Sequence, residues 1–181
     1  MVHTYAVRSI VVMGVSGSGK STIASALAKG LSFQFIEGDA LHPPANVEKM
    51  SFGRALTDDD RRPWLREIGH QLNEALAHGP GCVVACSTLK RSYRDTLRSA
   101  VPETFFVMLN GPYALIRSRL EARPHAFMPV SLLASQFAAL EPLGNDERGM
   151  SVDVSSPPQA IVSQIETELH RVESSQRGAR G

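Results

Sequence analysis

The stretch Met13–Thr22, MGVSGSGKST, follows the apolar run Ile10-Val11-Val12. It precedes a segment that sets Ile23, Ala24, Leu27, Ala28 and Leu31 on one helical face. Residues Gly14 to Ser21 fit G-x-x-x-x-G-K-[ST] at every fixed position. A place between a strand and a helix is what gives that pattern its meaning. Glycines let the backbone curl so that several N–H groups point inward. The helix that opens there adds partial positive charge at its N-terminus. Lys20 is a flexible cation that can reach the outer phosphates, and the Ser21 hydroxyl suits a Mg²⁺ ion. Gly14, Val15, Ser16, Gly17, Ser18, Gly19, Lys20, Ser21 and Thr22 therefore read as a cradle for a nucleoside triphosphate. The cradle alone leaves transferase, switch and motor open.

Outward from this stretch, strand and helix patterns alternate. Strands are expected at 8–13, 33–37, 82–86, 104–109 and 150–154. Helices are expected at 20–31, 62–78, about 90–99, from Gly111-Pro112 to about 122, 131–141 and 158–172. Pro63 falls in the first turn of the helix expected at 62–78, where proline is tolerated. This order implies an α/β fold of three layers, a parallel sheet flanked by helices. Ligands of such sheets sit at the carboxyl ends of the strands. That rule selects residues 14–21, 38–50, 87–94, 123–130 and 145–157.

At 181 residues, with 43% hydrophobic and 20% charged residues, the chain reads as one domain over 1–173 with a flexible tail at 174–181. A net charge of +1 argues against a general nucleic-acid binder, which carries a strong basic excess. Cys82 and Cys86 lie inside an apolar run with no second pair to complete a metal set, so both read as small core residues. The first residues lack the apolar stretch of a signal peptide, and no run approaches the ~18 apolar residues of a membrane span. The expected location is cytoplasmic.

After the second expected strand, EGDALHPPANVEKM (37–50) places Glu37, Asp39, His42, Asn46, Glu48 and Lys49 near the ligand edge. Asp39 is positioned to face the outermost phosphate. There it would orient an acceptor hydroxyl and take its proton. The other reading makes Asp39 the cap of a helix starting near Pro43 or Pro44. The third strand ends in Ser87 and not in the acid that GTPase switches and motor ATPases place there. Metal coordination must lean on Ser21, the phosphates, water, and Asp39 or Glu37.

Taken together, MGVSGSGKST, GDALHPPANVEKM, LTDDDRRPWL, CSTLKRSYRDTLR and SQFAALE resemble the small gluconokinase family with a P-loop. The resemblance spans roughly residues 8–165, and neither DDDRRPWL nor CSTLKRSYRD follows from generic architecture. It implies a P-loop kinase fold with a mobile lid, similar to shikimate and nucleoside-monophosphate kinases. It also implies ATP-dependent phosphorylation of D-gluconate to 6-phosphogluconate, with ATP and Mg²⁺ required, and a homodimer. Gly14 through Ser21 match the ATP-binding loop, and Asp39 matches the aspartate that activates the sugar-acid hydroxyl. His42 and Lys49 match the acceptor-side motif. Leu56, Asp58, Asp60, Arg61, Pro63, Trp64 and Leu65 match the next block, and Ser87, Leu89, Lys90, Tyr93, Arg94 and Asp95 the one after the third strand.

Gluconate is a polyol with one carboxylate, so its site needs cations and hydrogen-bonding groups. The candidates are His42, Lys49, Arg54, Lys90 and Arg94, with Arg94 first because a guanidinium fork fits two oxygens. Trp64 reads as a core residue beside Leu65. RSRLEARPHAFMP (117–129) reads as a helix running into a basic lid at about 123–130, where Arg119 and Arg123 would stabilise transferring charge. The adenine is expected near SSPPQ, 155–159.

The sequence departs from the family at three places. Glu37 stands where relatives carry aspartate in DGD, His125 is shifted by one place in the lid motif, and the proline of LEPLGNDE comes one position early. Alternatives to a gluconate kinase are a kinase for another small hydroxy acid such as shikimate, an ATP-binding regulatory protein without transfer activity, and a nucleic-acid kinase.

Overall fold

A computed structural model describes residues 7–122 and 130–178. Five strands form one parallel sheet: β1 (Ser9–Met13), β2 (Gln34–Glu37), β3 (Cys82–Ala85), β4 (Phe105–Asn110) and β5 (Gly149–Asp153). Their spatial order is β2-β3-β1-β4-β5. Chain order thus reverses direction next to β1, which leaves the crevice at the carboxyl end of β1 as the natural ligand position.

Successive side chains of a strand point to opposite faces, and both faces here are apolar. Ile10, Val12, Val83, Phe105 and Val107 pack with Ile23 and Leu27 of α1 (Lys20–Leu31) and Ile161, Ile165 and Leu169 of α7 (Pro158–Gly178). Val11, Met13, Val84, Phe106 and Met108 pack on the other face with Ile68 and Leu72 of α3 (Asp58–His78) and Leu97 of α4 (Arg91–Ala100). Each fully buried Ile, Leu, Val or Phe contributes about 1.5–3 kcal/mol relative to exposure, so the two faces stabilise the sheet comparably. Cys82 and Cys86 are buried free thiols within this packing, and burial pushes Cys82 up to about 12.

Three expectations need correction. Helix α3 starts at Asp58, ahead of residue 62, because Thr57 and Asp60 form a reciprocal capping box and Asp58, Asp59 and Asp60 complement the helix dipole. Pro63 consequently sits inside the helix, past its first turn. A helix does follow Pro43, namely α2 (Pro44–Ser51), but Asp39 does not cap it; Asp39 lies in a separate 3-10 turn, Gly38–Leu41. Helix α7 runs beyond 172 to Gly178. The remaining helices are α5 (Tyr113–Glu121) and α6 (Leu133–Ala139), the latter introduced by a 3-10 turn at Val130–Leu132. The expected lid, about 123–130, lies outside the described residues except for Val130, and so do Arg123, His125 and Phe127.

Candidate active site

The loop between β1 and α1 has a backbone that most side chains could not follow. Gly14, Gly17 and Gly19 hold φ of 145°, 82° and 97°. A Cβ on Gly14 would come within 2.7 Å of the Leu109 carbonyl oxygen and 2.9 Å of Ser18 Oγ, so the loop closes tightly over the end of β4. Lys20 is only 8% exposed, and its ammonium donates to the Val15 carbonyl at 3.1 Å, folding back over the loop. The Ser18 hydroxyl is buried and has no protein partner. Inward amides, a held cation and an unsatisfied hydroxyl at a helix N-terminus suit a polyphosphate.

Two openings flank this loop. One groove is bordered by Gly17, Ser18, Gly19, Thr22, Arg119, Ser156 and Pro158. The guanidinium of Arg119 donates to the Val154 carbonyl at 2.9 Å, which fixes it against the segment after β5. Ser156 and Pro158 belong to the SSPPQ segment, so the expected base position borders the phosphate loop. Ser21 lies exposed in the first turn of α1.

The other opening is a cleft of about 610 Å³, counting the part open to solvent. Ser16 of the phosphate loop borders it together with Asp39, His42, Arg61, Trp64, Ser87 and Gln136. Trp64 is 1% exposed, and its indole N–H donates to the Gly38 carbonyl at 2.7 Å. Its ring stacks on His42 at 4.1 Å between centroids and 12° between planes. The core reading of Trp64 was half of its role: it also supports the cleft's histidine. Burial is the main cause holding His42 down at about 4, with the Asp39 carboxylate opposing and Arg61 reinforcing. His42 is thus neutral near pH 7, a hydrogen-bonding group and not the cation expected from sequence.

Asp39 and Lys20 converge on the end of β3. The thiol of Cys86 is raised by burial first, then by Asp39, while Lys20 pulls it down. Both charges therefore act on one buried atom just past the end of β3.

The other expected cations do not border this cleft. Arg94 is fully buried and its guanidinium is spent: Nε and Nη2 donate to the Glu147 carboxylate at 2.6 and 2.8 Å. Its remaining N–H groups go to the carbonyls of Leu89, Glu141 and Pro142. No donor is left for a substrate, which corrects the first-choice assignment. Lys49 is paired with Asp60 at 2.6 Å and holds that carboxyl down at about 2. Lys90 is paired with Asp58 at 2.9 Å, and Arg54 is exposed.

Arg61, matched to a motif block from sequence but not counted among the candidate cations, does border the cleft. Its Nη1 donates to the Leu56 carbonyl at 2.6 Å and to Tyr93 Oη at 3.4 Å, and its guanidinium lies 5.6 Å from the Tyr93 ring centroid. Tyr93 in turn donates to Asp58. The fork is held at the cleft wall by carbonyls of the segment leading into α3 and by Tyr93 on α4. The signal was present: Arg61 is one helical turn ahead of Trp64 and Leu65, on the edge of the buried face.

No group of three His, Cys, Asp or Glu among the described residues is arranged to hold a metal ion. The parallel sheet of this order, the glycine loop closed on Lys20, and a polar cleft holding Asp39 beside the loop define a P-loop kinase. A family model described as an AAA domain matches residues 10–143. A gluconokinase of Gluconobacter oxydans is 48% identical over 158 residues, 87% of this chain and 89% of that protein. The thermoresistant gluconokinase of Escherichia coli is 42% identical over 84% of this chain and 88% of its own length. The crystal structure of a gluconokinase from Sinorhizobium meliloti superposes with a TM-score of 0.87 at 45% identity, covering 97% of this chain and 98% of that one. The chain belongs to the gluconokinase family.

Proposed function

We propose that this protein transfers the terminal phosphoryl group of ATP to the 6-hydroxyl of D-gluconate, giving 6-phosphogluconate and ADP. The supporting observation is the cleft that joins Ser16 of the phosphate loop to Asp39, neutral His42 and Arg61. Gluconokinase relatives over most of the chain agree with it.

In this reading the loop amides and Lys20 hold the β and γ phosphates. Asp39 orients the acceptor hydroxyl and takes its proton as the oxygen bonds to phosphorus and the bond to ADP breaks. His42, uncharged, makes hydrogen bonds to polyol hydroxyls without attracting a counterion. Arg61 pairs with the substrate carboxylate through its fork. Arg119 contacts the nucleotide from the other groove.

The loop fits Mg-ATP, given its tight glycine turn and unsatisfied Ser18 hydroxyl. Ser21 would hold the ion, which would offset the phosphates' negative charge. No acidic cluster stands among the described residues, so phosphates and water would supply most of the ion's ligands. No helix among the described residues is long and apolar enough to cross a membrane, in keeping with a cytoplasmic enzyme. A homodimer is the expected assembly.

The test is ADP release by purified protein with Mg-ATP and a panel of gluconate, shikimate and related sugar acids. Gluconate-dependent release is expected. Release with shikimate alone would move the assignment to another hydroxy acid, and ATP binding without any turnover would favour a regulatory protein.

A further inference from the structure

Helix α6 bridges the phosphate loop and the acceptor wall of the cleft. The Ser16 backbone N–H, third in the loop, donates to Gln136 Oε1 at 2.6 Å, across 120 positions of sequence. Leu132, Ser135 and Gln136 border the same cleft as Asp39, His42 and Arg61. Leu133 beside them is fully buried in the α1-side core, which anchors the helix.

Beyond its C-terminus, α6 is tied to the loop after β3. The Glu141 N–H donates to the Leu89 carbonyl at 2.9 Å, and the Arg91 N–H donates to Glu141 Oε2 at 2.6 Å. Leu89 itself borders the cleft. One short helix is thus hydrogen-bonded to donor-side backbone at its middle and joined to acceptor-side backbone past its end.

We propose that Gln136 is a positioning residue that sets the spacing between the phosphate loop and the acceptor wall; this rests on the kinase reading of the cleft. Phosphoryl transfer places little covalent demand on the protein and a large demand on alignment. A misplacement of ~1 Å between reacting groups costs on the order of 10²-fold in rate. With the Gln136 tie gone, nucleotide still has its amides and Lys20. The acceptor, however, is no longer held in line, and water gains access to the phosphoryl group.

The variants are Gln136→Met, which keeps length and removes the acceptor oxygen, and Gln136→Ala. Affinity for a non-hydrolysable ATP analogue with Mg²⁺ is measured by calorimetry, and gluconate KM, kcat and the ratio of ADP to 6-phosphogluconate by coupled assay. Both variants are expected to bind the analogue within about threefold of wild type, to lose about tenfold in kcat/KM for gluconate mainly through kcat, and to release excess ADP. Wild-type kcat and ratio in Gln136→Met overturn the proposal. So does loss of analogue binding in step with activity, which would make Gln136 a prop for the loop. Absence of gluconate-dependent turnover in the wild type overturns the kinase reading and this proposal with it, whereas wild-type turnover that Gln136→Met leaves unchanged overturns this proposal alone.

Discussion

Arg94 and Glu147 meet side on in the interior, two N–H···O contacts of 2.6 and 2.8 Å with both side chains at 0% exposure. Glu147 also accepts the Gly144 N–H at 2.8 Å, so the pair locks the turn before β5 onto α4. Removing one partner of such a pair strands a buried charge and costs about 3–5 kcal/mol. Arg94→Met should lower the denaturant midpoint accordingly. In the fraction that stays folded, gluconate KM should stay within about twofold of wild type. A selective rise in KM at unchanged stability would return Arg94 to the substrate site.

The same pair explains the limits of reading this site from sequence. The sheet, the glycine loop and the place of Asp39 beside it were legible, because each rests on a local pattern: apolar runs of strand length, glycines at fixed spacing, an acid just past a strand. Cation partnership is not local. Arg94 meets Glu147 across 53 positions, and Lys90 meets Asp58 across 32. Position near the ligand edge therefore could not separate a cation aimed at solvent or substrate from one already neutralised. Arg61 entered the sequence reading only as a member of a motif block, and only the packing of α3 against α4 beside Tyr93 turns it to the cleft. The early start of α3 was readable in principle from Thr57 and Asp60, since threonine followed three residues later by an acid is a capping signature.

Arg61 carries the next prediction. Arg61→Met should raise gluconate KM about tenfold to a hundredfold, since charge-assisted hydrogen bonds contribute roughly 1.5–3 kcal/mol and about 1.4 kcal/mol is a factor of ten. ATP KM should change little. Arg54→Met, an exposed neighbour, should leave both constants near wild type. Equal effects of the two variants in steady-state assays would count against a carboxylate grip by Arg61.

His42 links stability to pH. Its folded value of about 4 lies below the ordinary 6.5 because burial disfavours the charged ring. Between these values the unfolded chain binds a proton that the native ring refuses, so stability falls as pH drops from about 6.5 to about 4 and then levels. Partial solvent access reduces the effect to on the order of 1–2 kcal/mol. His42→Gln should flatten this part of the stability profile in urea titrations at stepped pH. A ring resonance of His42 titrating near 6.5 by NMR would refute the neutral assignment.

Asp39 is the sharpest test of the chemistry. It sits in a short 3-10 turn whose carbonyl accepts the His42 N–H at 3.4 Å, and Trp64 clamps the same turn through the Gly38 carbonyl. Asn has the same shape and keeps those backbone contacts, so Asp39→Asn should fold with a melting temperature near wild type. Nucleotide affinity should persist, because the loop amides and Lys20 are untouched. Turnover should fall by roughly 10² or more, the scale on which a positioned general base contributes. The fall should appear in kcat, since the acceptor hydroxyl loses its proton only as the new bond forms. Rapid-quench measurement of the first turnover separates this from slow product release. A variant that keeps near-normal first-turnover rates would remove Asp39 from the proton-accepting role and leave it as a support for His42.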